Sequence, residues 1–218
     1  MQTWSELDVR HFLKVAKDSP HYPLFHTALY TGMRRGELLA LRWRDIGVQE
    51  IHVNQSLHQL RDGSYIFTKP KSAKSRRTID LSPSSILTLA EHRERQEGIR
   101  TVIGIPLKQE DLVFSTPERK PLRPNTVSRA WTMLAARAGL RAIRLHDARH
   151  THASIMLKQG VHPKIVQERL GHGSIQVTLD TYSHVAPGLQ KAAAESFDKL
   201  ISPQYNDTSE NGVIPKNY

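Results

Sequence analysis

The spacing of apolar residues along the chain predicts helices at both ends and a different structure between them. Ser5 is a good helix N-cap, and Leu7, Phe12 and Leu13 follow it on one helical face. The same periodicity recurs through most of the chain. After the Ser5 cap a helix is predicted within residues 3–17, and others are predicted over residues 20–30, 83–98, 145–159 and 162–170. A further helix starts over residues 37–41, Asn125 caps one that runs through Ala138, and Ser174 caps one more short helix.

Residues 45–81 have the pattern of strands. The segments IHVNQSL, SYIFTKP and RRTIDL are short, rich in β-branched residues and loosely alternating, and Asp62-Gly63 is a hairpin turn signal. They predict a three-stranded antiparallel sheet, with the basic loop KPKSAKSRR between its last two strands. The predicted fold class is therefore α+β, mainly α-helical, with one small three-stranded antiparallel sheet.

The charge balance favours a polyanionic partner. The 218 residues include 31 lysines and arginines against 21 acidic residues, a formal net charge of +10, which is typical of nucleic-acid binding and equally fits a soluble basic protein. Cysteine is absent, so disulfides and thiolate metal sites are excluded. The N-terminal residues lack a signal-peptide pattern, and no segment has the roughly 20 apolar residues of a membrane span. We expect a cytoplasmic protein without a membrane partner.

The last third of the chain carries the densest candidate chemistry. His146 and Arg149 are three residues apart on a predicted helix, so both side chains can face one cleft. His172 stands between two glycines, where the backbone turns easily, and Tyr182 follows ten residues later on another predicted helix. An arginine, two imidazoles and a phenol suit a cleft that holds a phosphate for attack by tyrosine.

Taken one at a time, these residues also fit plainer roles. His146, His150 and His152 are spaced closely enough for a zinc site, although cysteine and a carboxylate–histidine motif are missing. Tyr182 alone would be an ordinary core tyrosine. The loop KPKSAKSRR alone would be a solvated basic loop, and Arg34 alone would be a surface arginine that caps a helix.

Five motifs, taken in their order along the chain, favour a phosphate site over these plainer roles. They are TGMRRGELLALRW (31–43), TKPKSAKSRRTIDL (68–81), HDARH (146–150), LGHGS (170–174) and the TY of DTYSHV (181–182). Together they span almost all of the first 190 residues, and they closely resemble the motifs of the tyrosine recombinases, or phage-type integrases, in that family's order.

The resemblance implies a role for each matched residue. Arg34 takes the position of the first catalytic arginine, and Glu37 that of an acid which holds Arg34 or the local backbone. Lys71 matches the catalytic lysine, with Lys74 and Lys69 as competing candidates. The remaining implied catalytic residues are His146, Arg149, His172 and the nucleophile Tyr182. No cofactor and no metal ion are implied.

The resemblance also implies the tyrosine recombinase catalytic fold and its activity. That activity is site-specific DNA recombination, in which double-stranded DNA is cleaved and rejoined through a 3′-phosphotyrosyl intermediate. The expected partners are double-stranded DNA and other protomers in a DNA-bound synaptic tetramer, with a monomer in the absence of DNA. A topoisomerase of type IB and a non-catalytic remnant of an integrase are the alternatives, and the wording of LGHGS and TGMRRGE favours the recombinase.

The expected domain organisation has three parts. Residues 1–186 form the catalytic domain, residues 187–201 a C-terminal helix, and residues 202–218 a disordered polar tail. The C-terminal helix is expected to pack either on a neighbouring protomer or on its own domain. The first motif begins at residue 31, which leaves no room for the helical DNA-clamping domain that usually precedes it. We therefore expect a catalytic domain on its own or a truncated open reading frame.

Overall fold

The structure is a computed structural model that describes residues 2–69 and 76–182, together with residues 194, 195, 197, 198 and 201. It confirms a mainly helical α+β fold. The helices are α1 (Glu6–Ala16), α2 (Tyr22–Thr31), α3 (Arg35–Ala40), α4 (Pro83–Val102), α5 (Pro124–Arg137), α6 (Asp147–Lys158), α7 (Pro163–Leu170) and α8 (Ile175–Tyr182), and the strands are β1 (Glu50–Val53), β2 (Ser56–Gln59), β3 (Tyr65–Thr68) and β4 (Arg77–Asp80).

The prediction of one three-stranded sheet is corrected. In the described ranges β1 pairs with β4, and β2 pairs with β3, as two separate antiparallel ladders. The first predicted strand is divided at Asn54 and Gln55, whose side chains turn to other partners. Asn54 Nδ2 donates to Asp45 Oδ1 at 3.0 Å, and Gln55 Nε2 donates to the backbone oxygen of Ala40 at 2.7 Å. These contacts fix the strands against α3 and the segment that follows it, next to the predicted site residue Arg34.

Four aromatic rings fill the centre of the core: Trp4, Phe12, Phe25 and Trp131. The Trp131 ring centroid lies 4.9 Å from that of Trp4 and 4.4 Å from that of Phe12. Both indole nitrogens are satisfied by the segment that leads into α6, because Trp131 Nε1 donates to Ile143 O and Trp4 Nε1 donates to Arg141 O. The core therefore anchors the start of α6, the helix that carries His146 at its N-cap and Arg149 in its first turn.

Helix ends follow local rules with small shifts from the sequence predictions. Ser5 caps α1 in a capping box with Asp8, as its position predicted. The fourth helix is longer than predicted and ends at Val102, and α5 begins at Pro124 after Arg123 as N-cap. Within the described ranges, none of the helices combines the length and the apolar composition that a membrane span requires.

The chain divides into two units, Met1–Val185 and Ala186–Tyr218. In the second unit the described residues are all helical: Ala194, Glu195, Phe197, Asp198 and Ile201. They fall within the predicted C-terminal helix, whose other residues lie outside the described part, as does the predicted tail. The three-part division into 1–186, 187–201 and 202–218 stays a prediction.

Candidate active site

Arg34 is held at the start of α3 by one carboxylate. It is the N-cap of the helix, its backbone N–H donates to Glu37 Oε2 at 2.8 Å, and its Nη1 donates to Glu37 Oε1 at 2.9 Å. Arg77, from the first position of β4, donates to the same two oxygens at 2.8 and 3.1 Å. Glu37 therefore holds both Arg34 and its backbone, as the sequence predicted, and it also holds a second arginine.

The environment of Glu37 keeps it ionised. Burial acts to raise the pKa of Glu37, but the hydrogen bonds and positive charges of Arg77 and Arg34 outweigh burial and lower the pKa to about 2. A buried carboxylate with two guanidinium partners is charged at every physiological pH. It therefore acts as a fixed anchor and not as a proton carrier.

Arg149 reaches from α6 to the ends of two other helices. Its Nη1 donates to Gly32 O at 2.9 Å, just after α2, and its Nη2 donates to Leu170 O at 2.6 Å, at the end of α7. Arg34 Nη2 lies 3.4 Å from the next carbonyl, Gly171 O. Two arginines far apart in the sequence thus converge on two consecutive carbonyls directly before His172.

Two glycines allow these elements to come so close. Gly32 and Gly171 end α2 and α7 with left-handed φ values of +66° and +67°, which glycine adopts without strain. A Cβ at Gly32 would lie 2.6 Å from Leu170 Cδ2, and a Cβ at Gly171 would lie 3.0 Å from Arg77 Cδ. A side chain at Gly32 would clash with Leu170 and His152, and one at Gly171 would require the Arg77 side chain to shift by a few tenths of an ångström.

His172 follows in the loop between α7 and α8. Its backbone is bracketed by Gln167, because His172 N donates to Gln167 O at 3.1 Å and Gln167 Nε2 donates to His172 O at 2.9 Å. Its ring nitrogen Nδ1 is 2.8 Å from the hydroxyl of Thr178 in α8. Burial, then the charges of Arg149 and Arg34, lower the pKa of His172 to about 4, so the ring is neutral at pH 7.

His146 and His150 pack edge to face on the first turn of α6, with ring centroids 5.3 Å apart. His146 is exposed, and the pKa of its ring is lowered by partial burial and then by the charge of Arg149. With Arg34 and Arg144, His146 lines an open cleft of about 770 Å³. Asp147, between the two histidines in the sequence, is a buried acceptor for Arg144.

His152 has a structural role on the same helix. Arg169 Nε is always a donor and lies 3.1 Å from His152 Nε2, so the proton of this ring is on Nδ1, 2.9 Å from Leu29 O. Both ring nitrogens are therefore used in protein hydrogen bonds, which leaves none for zinc. Burial, then the charge of Arg169, lower the pKa of His152 to about 3. The described residues contain no group of three or more histidines or carboxylates placed to hold a metal ion.

The structure brings four of the predicted site residues to one place: Arg34, His146, Arg149 and His172. Tyr182 is the last residue of α8, and its side chain lies outside the described part of the chain. Lys71 and Lys74 also lie outside it, while Lys69 is described directly after β3. The sequence reasoning missed Arg77, Arg169 and Thr178, which support the site from strands and helices elsewhere in the chain.

Arg34 and His146 line an open cleft, and the contacts of Arg34 with Gly171 and of Arg149 with Leu170 lie directly before His172, on a mainly helical α+β fold. The family model of the phage integrases matches residues 5–188. The chain therefore belongs to the phage integrase family.

Curated relatives and solved structures agree with this membership. The chain is 34% identical over 205 residues to the ICEBs1 integrase of Bacillus subtilis, and 30% identical over 214 residues to a XerC-like tyrosine recombinase of Caldanaerobacter subterraneus. Each alignment covers 92% of this chain and 55% of the relative, so the chain spans about half the length of these relatives. The Tn1549 transposon integrase, solved in complex with transposon right end DNA, has the same fold, with a TM-score of 0.74 at 19% identity over 93% of this chain and 66% of that one.

Proposed function

We propose that this chain carries the catalytic machinery for site-specific DNA recombination, with Tyr182 as the nucleophile. The observation that carries the proposal is the convergence of Arg34 and Arg149 on the consecutive carbonyls of Gly171 and Leu170. This convergence puts two permanent positive charges beside His172 and close to the start of the helix that ends in Tyr182.

Two guanidiniums address the main difficulty of the reaction. A phosphodiester resists attack because its nonbridging oxygens are anionic. Planar, always-charged arginine forks bind those oxygens and stabilise the additional charge of the transition state, a role that a metal ion plays in other phosphate-cleaving enzymes. Of the two arginines on Glu37, Arg34 suits this role because 40% of its side chain is exposed, against only 5% for Arg77. Arg149 is itself buried, and it is assigned by its place in the HDARH motif.

The proposed step exchanges one phosphate ester for another. The phenolic oxygen of Tyr182 bonds to phosphorus as the bond from phosphorus to the 5′ oxygen breaks, which leaves a 3′-phosphotyrosine and a free 5′-hydroxyl. His146 accepts the tyrosine proton or holds a phosphate oxygen, and Lys71 supplies the proton that the 5′ oxygen needs. The aryloxide is a good leaving group, so the reverse attack by a 5′-hydroxyl rejoins the strand without ATP.

The proposal includes the partners and the place of the reaction. The net charge of +10 supports binding to double-stranded DNA. Exchange between two duplexes breaks four strands, so we infer a synaptic tetramer on DNA, formed from protomers that are monomeric without it. The bacterial sources of the relatives support a reaction in the cytoplasm, on bacterial or phage DNA.

A plasmid with two copies of the target site distinguishes this function from its alternatives. The Bacillus subtilis relative, as an integrase, is a source of candidate target DNA. A recombinase yields product circles of defined sizes, which Tyr182→Phe abolishes. Relaxation of supercoils on any plasmid, without exchange, would indicate a topoisomerase, and DNA binding without either product would indicate a non-catalytic remnant.

The identity of the catalytic lysine is tested by changing the leaving group of the DNA substrate. Lys71→Ala is expected to fail on a normal 5′ oxygen and to recover on a 5′-thio leaving group, because a thiolate departs without a proton. The matched variants are Lys74→Ala and Lys69→Ala, which should cleave both substrates. Recovery limited to either of those variants would assign the role to that lysine instead.

A further inference from the structure

Thr178 joins the histidine loop to the helix of the proposed nucleophile. It lies on α8, one helical turn before Tyr182. Its side chain is fully buried, and its hydroxyl oxygen is 2.8 Å from His172 Nδ1. Thr178 therefore contacts one predicted catalytic residue and precedes another by one turn.

We propose that Thr178 is a positioning residue, which donates its hydroxyl hydrogen to His172 Nδ1 and so keeps the ring hydrogen of His172 on Nε2. The inference rests on the proposed function of the site, since it concerns how His172 meets a phosphate.

The direction of the hydrogen bond follows from counting hydrogens. A neutral imidazole has one N–H, and a hydroxyl can either donate or accept. If Nδ1 donated to Thr178, the buried hydroxyl hydrogen would need a second acceptor, and the hydrogen bonds of the described chain supply none. If the hydroxyl donates, its hydrogen is used, and the ring hydrogen must sit on Nε2.

This tautomer decides what His172 offers to an anion. Burial, and then the positive charges of Arg149 and Arg34, disfavour an imidazolium at this position, so His172 has a single N–H to donate. With that hydrogen on Nε2, the side of the ring away from Thr178 is a hydrogen-bond donor. With the hydrogen on Nδ1, the same side would present a lone pair, which repels a phosphate oxygen.

The same contact fixes the position of the loop. Gln167 holds the backbone of His172 from α7, and Thr178 holds its side chain from α8. His172 is therefore tied to both neighbouring helices, and α8 is tied to the end of α7, whose carbonyls receive Arg149 and Arg34. A lost hydroxyl is expected to loosen the coupling between the histidine and the helix of the tyrosine.

The tautomer is measured directly by NMR on the whole chain labelled with ¹⁵N-histidine. The chain has 12 histidines, and His172→Asn identifies the resonances of this ring. Wild type and Thr178→Ser, which keeps the hydroxyl, should show the Nε2–H tautomer at pH 7. Thr178→Val, which has the same shape without the hydroxyl, should gain the Nδ1–H form. An Nδ1–H ring in the wild type, or an unchanged ring in Thr178→Val, would overturn the proposal.

Cleavage kinetics test the effect on the reaction. Thr178→Val should slow single-turnover cleavage by roughly 10- to 100-fold, the usual range for a group that orients a catalytic residue, while DNA affinity stays the same. Thr178→Ser should recover most of the rate. In a His172→Asn background, Thr178→Val should cause no further loss, because Thr178 acts through that ring.

The failure of this inference is separable from the failure of the proposed function. If wild-type protein binds DNA and never cleaves it, the proposed function fails while the NMR result still decides the tautomer. Thr178→Val could slow cleavage while the His172 tautomer stays unchanged, with a loss of rate that adds to the loss from His172→Asn. Thr178 would then only pack the helix, and the inference would be wrong. Thermal unfolding of the variants identifies any loss that comes from a damaged fold.

Discussion

At the scale of single residues, Glu37 binds two arginines that differ in exposure, Arg77 and Arg34. Arg77 is buried and uses Nε as well, which donates to Arg169 O at 2.8 Å. Arg34 keeps an exposed edge. One buried carboxylate thus balances two cations, and only one of them remains available to a ligand.

The charge of Glu37 should be visible in the pH dependence of stability. Its folded pKa is about 2 against an ordinary 4.5, so its stabilisation is complete above pH 4.5 and is lost as the pH falls towards 2. The shift corresponds to something on the order of 3 kcal/mol. Urea unfolding of the wild type and Glu37→Gln should show a gap in unfolding free energy above pH 5 that narrows towards pH 2. A gap that stays constant over this range would contradict the ionised anchor.

Sequence motifs predicted which residues belong to the candidate site, but they did not predict the side-chain contacts that support those residues. Glu37 was expected to hold Arg34 or the local backbone because it matches an acid of the recombinase motif. The pairs of Glu37 with Arg77 and of Arg77 with Arg169 join residues 40 and 92 positions apart. No periodicity in a single sequence marks such pairs, so these supporting residues became evident only in the folded chain.

At the scale of elements, the site is built where helices end. The C-terminal ends of α2 and α7 supply the carbonyls that receive Arg149, and the start of α3 supplies Arg34. The strands were harder to predict because strand pairing joins residues that are distant in the sequence. Loose alternation over residues 51–57 indicated a strand but not the point at Asn54 and Gln55 where the ladder changes its partner.

The close packing of α2 on α7 predicts a large difference between two glycine substitutions. Gly160 has a left-handed φ of +78° with nothing within 4 Å of an added Cβ, so Gly160→Ala should cost only the backbone strain of about 1–2 kcal/mol. Gly32→Ala has the same strain and also drives a Cβ into Leu170 and His152, which should cost about 1–3 kcal/mol more. Equal losses in urea unfolding would show that the two helix ends are not in tight contact.

At the scale of the whole molecule, the excess of basic residues predicts how the chain meets DNA. Phosphate contacts release counterions, so DNA affinity should fall steeply with salt, by at least about tenfold between 50 and 200 mM. Arg35→Gln, in the cleft beside Arg34, should reduce the slope of log affinity against log salt by about one. Arg93→Gln is the matched control, because Arg93 pairs with Glu97 and lies over the Trp43 ring. A flat salt dependence in fluorescence anisotropy would contradict the role of the basic surface.

The central claim is that Tyr182 attacks a phosphate held by Arg34 and Arg149. A nicked duplex that loses its 5′ fragment after cleavage should trap a covalent protein–DNA adduct in EDTA, and peptide mapping should place the DNA 3′ end on Tyr182. Tyr182→Phe should abolish the adduct with binding nearly unchanged, and Arg34→Ala or Arg149→Ala should reduce it by roughly 10²- to 10³-fold. With binding demonstrated in the same sample, an adduct on Tyr65, on Tyr205 or on no tyrosine would contradict the claim, as would trapping that requires added magnesium.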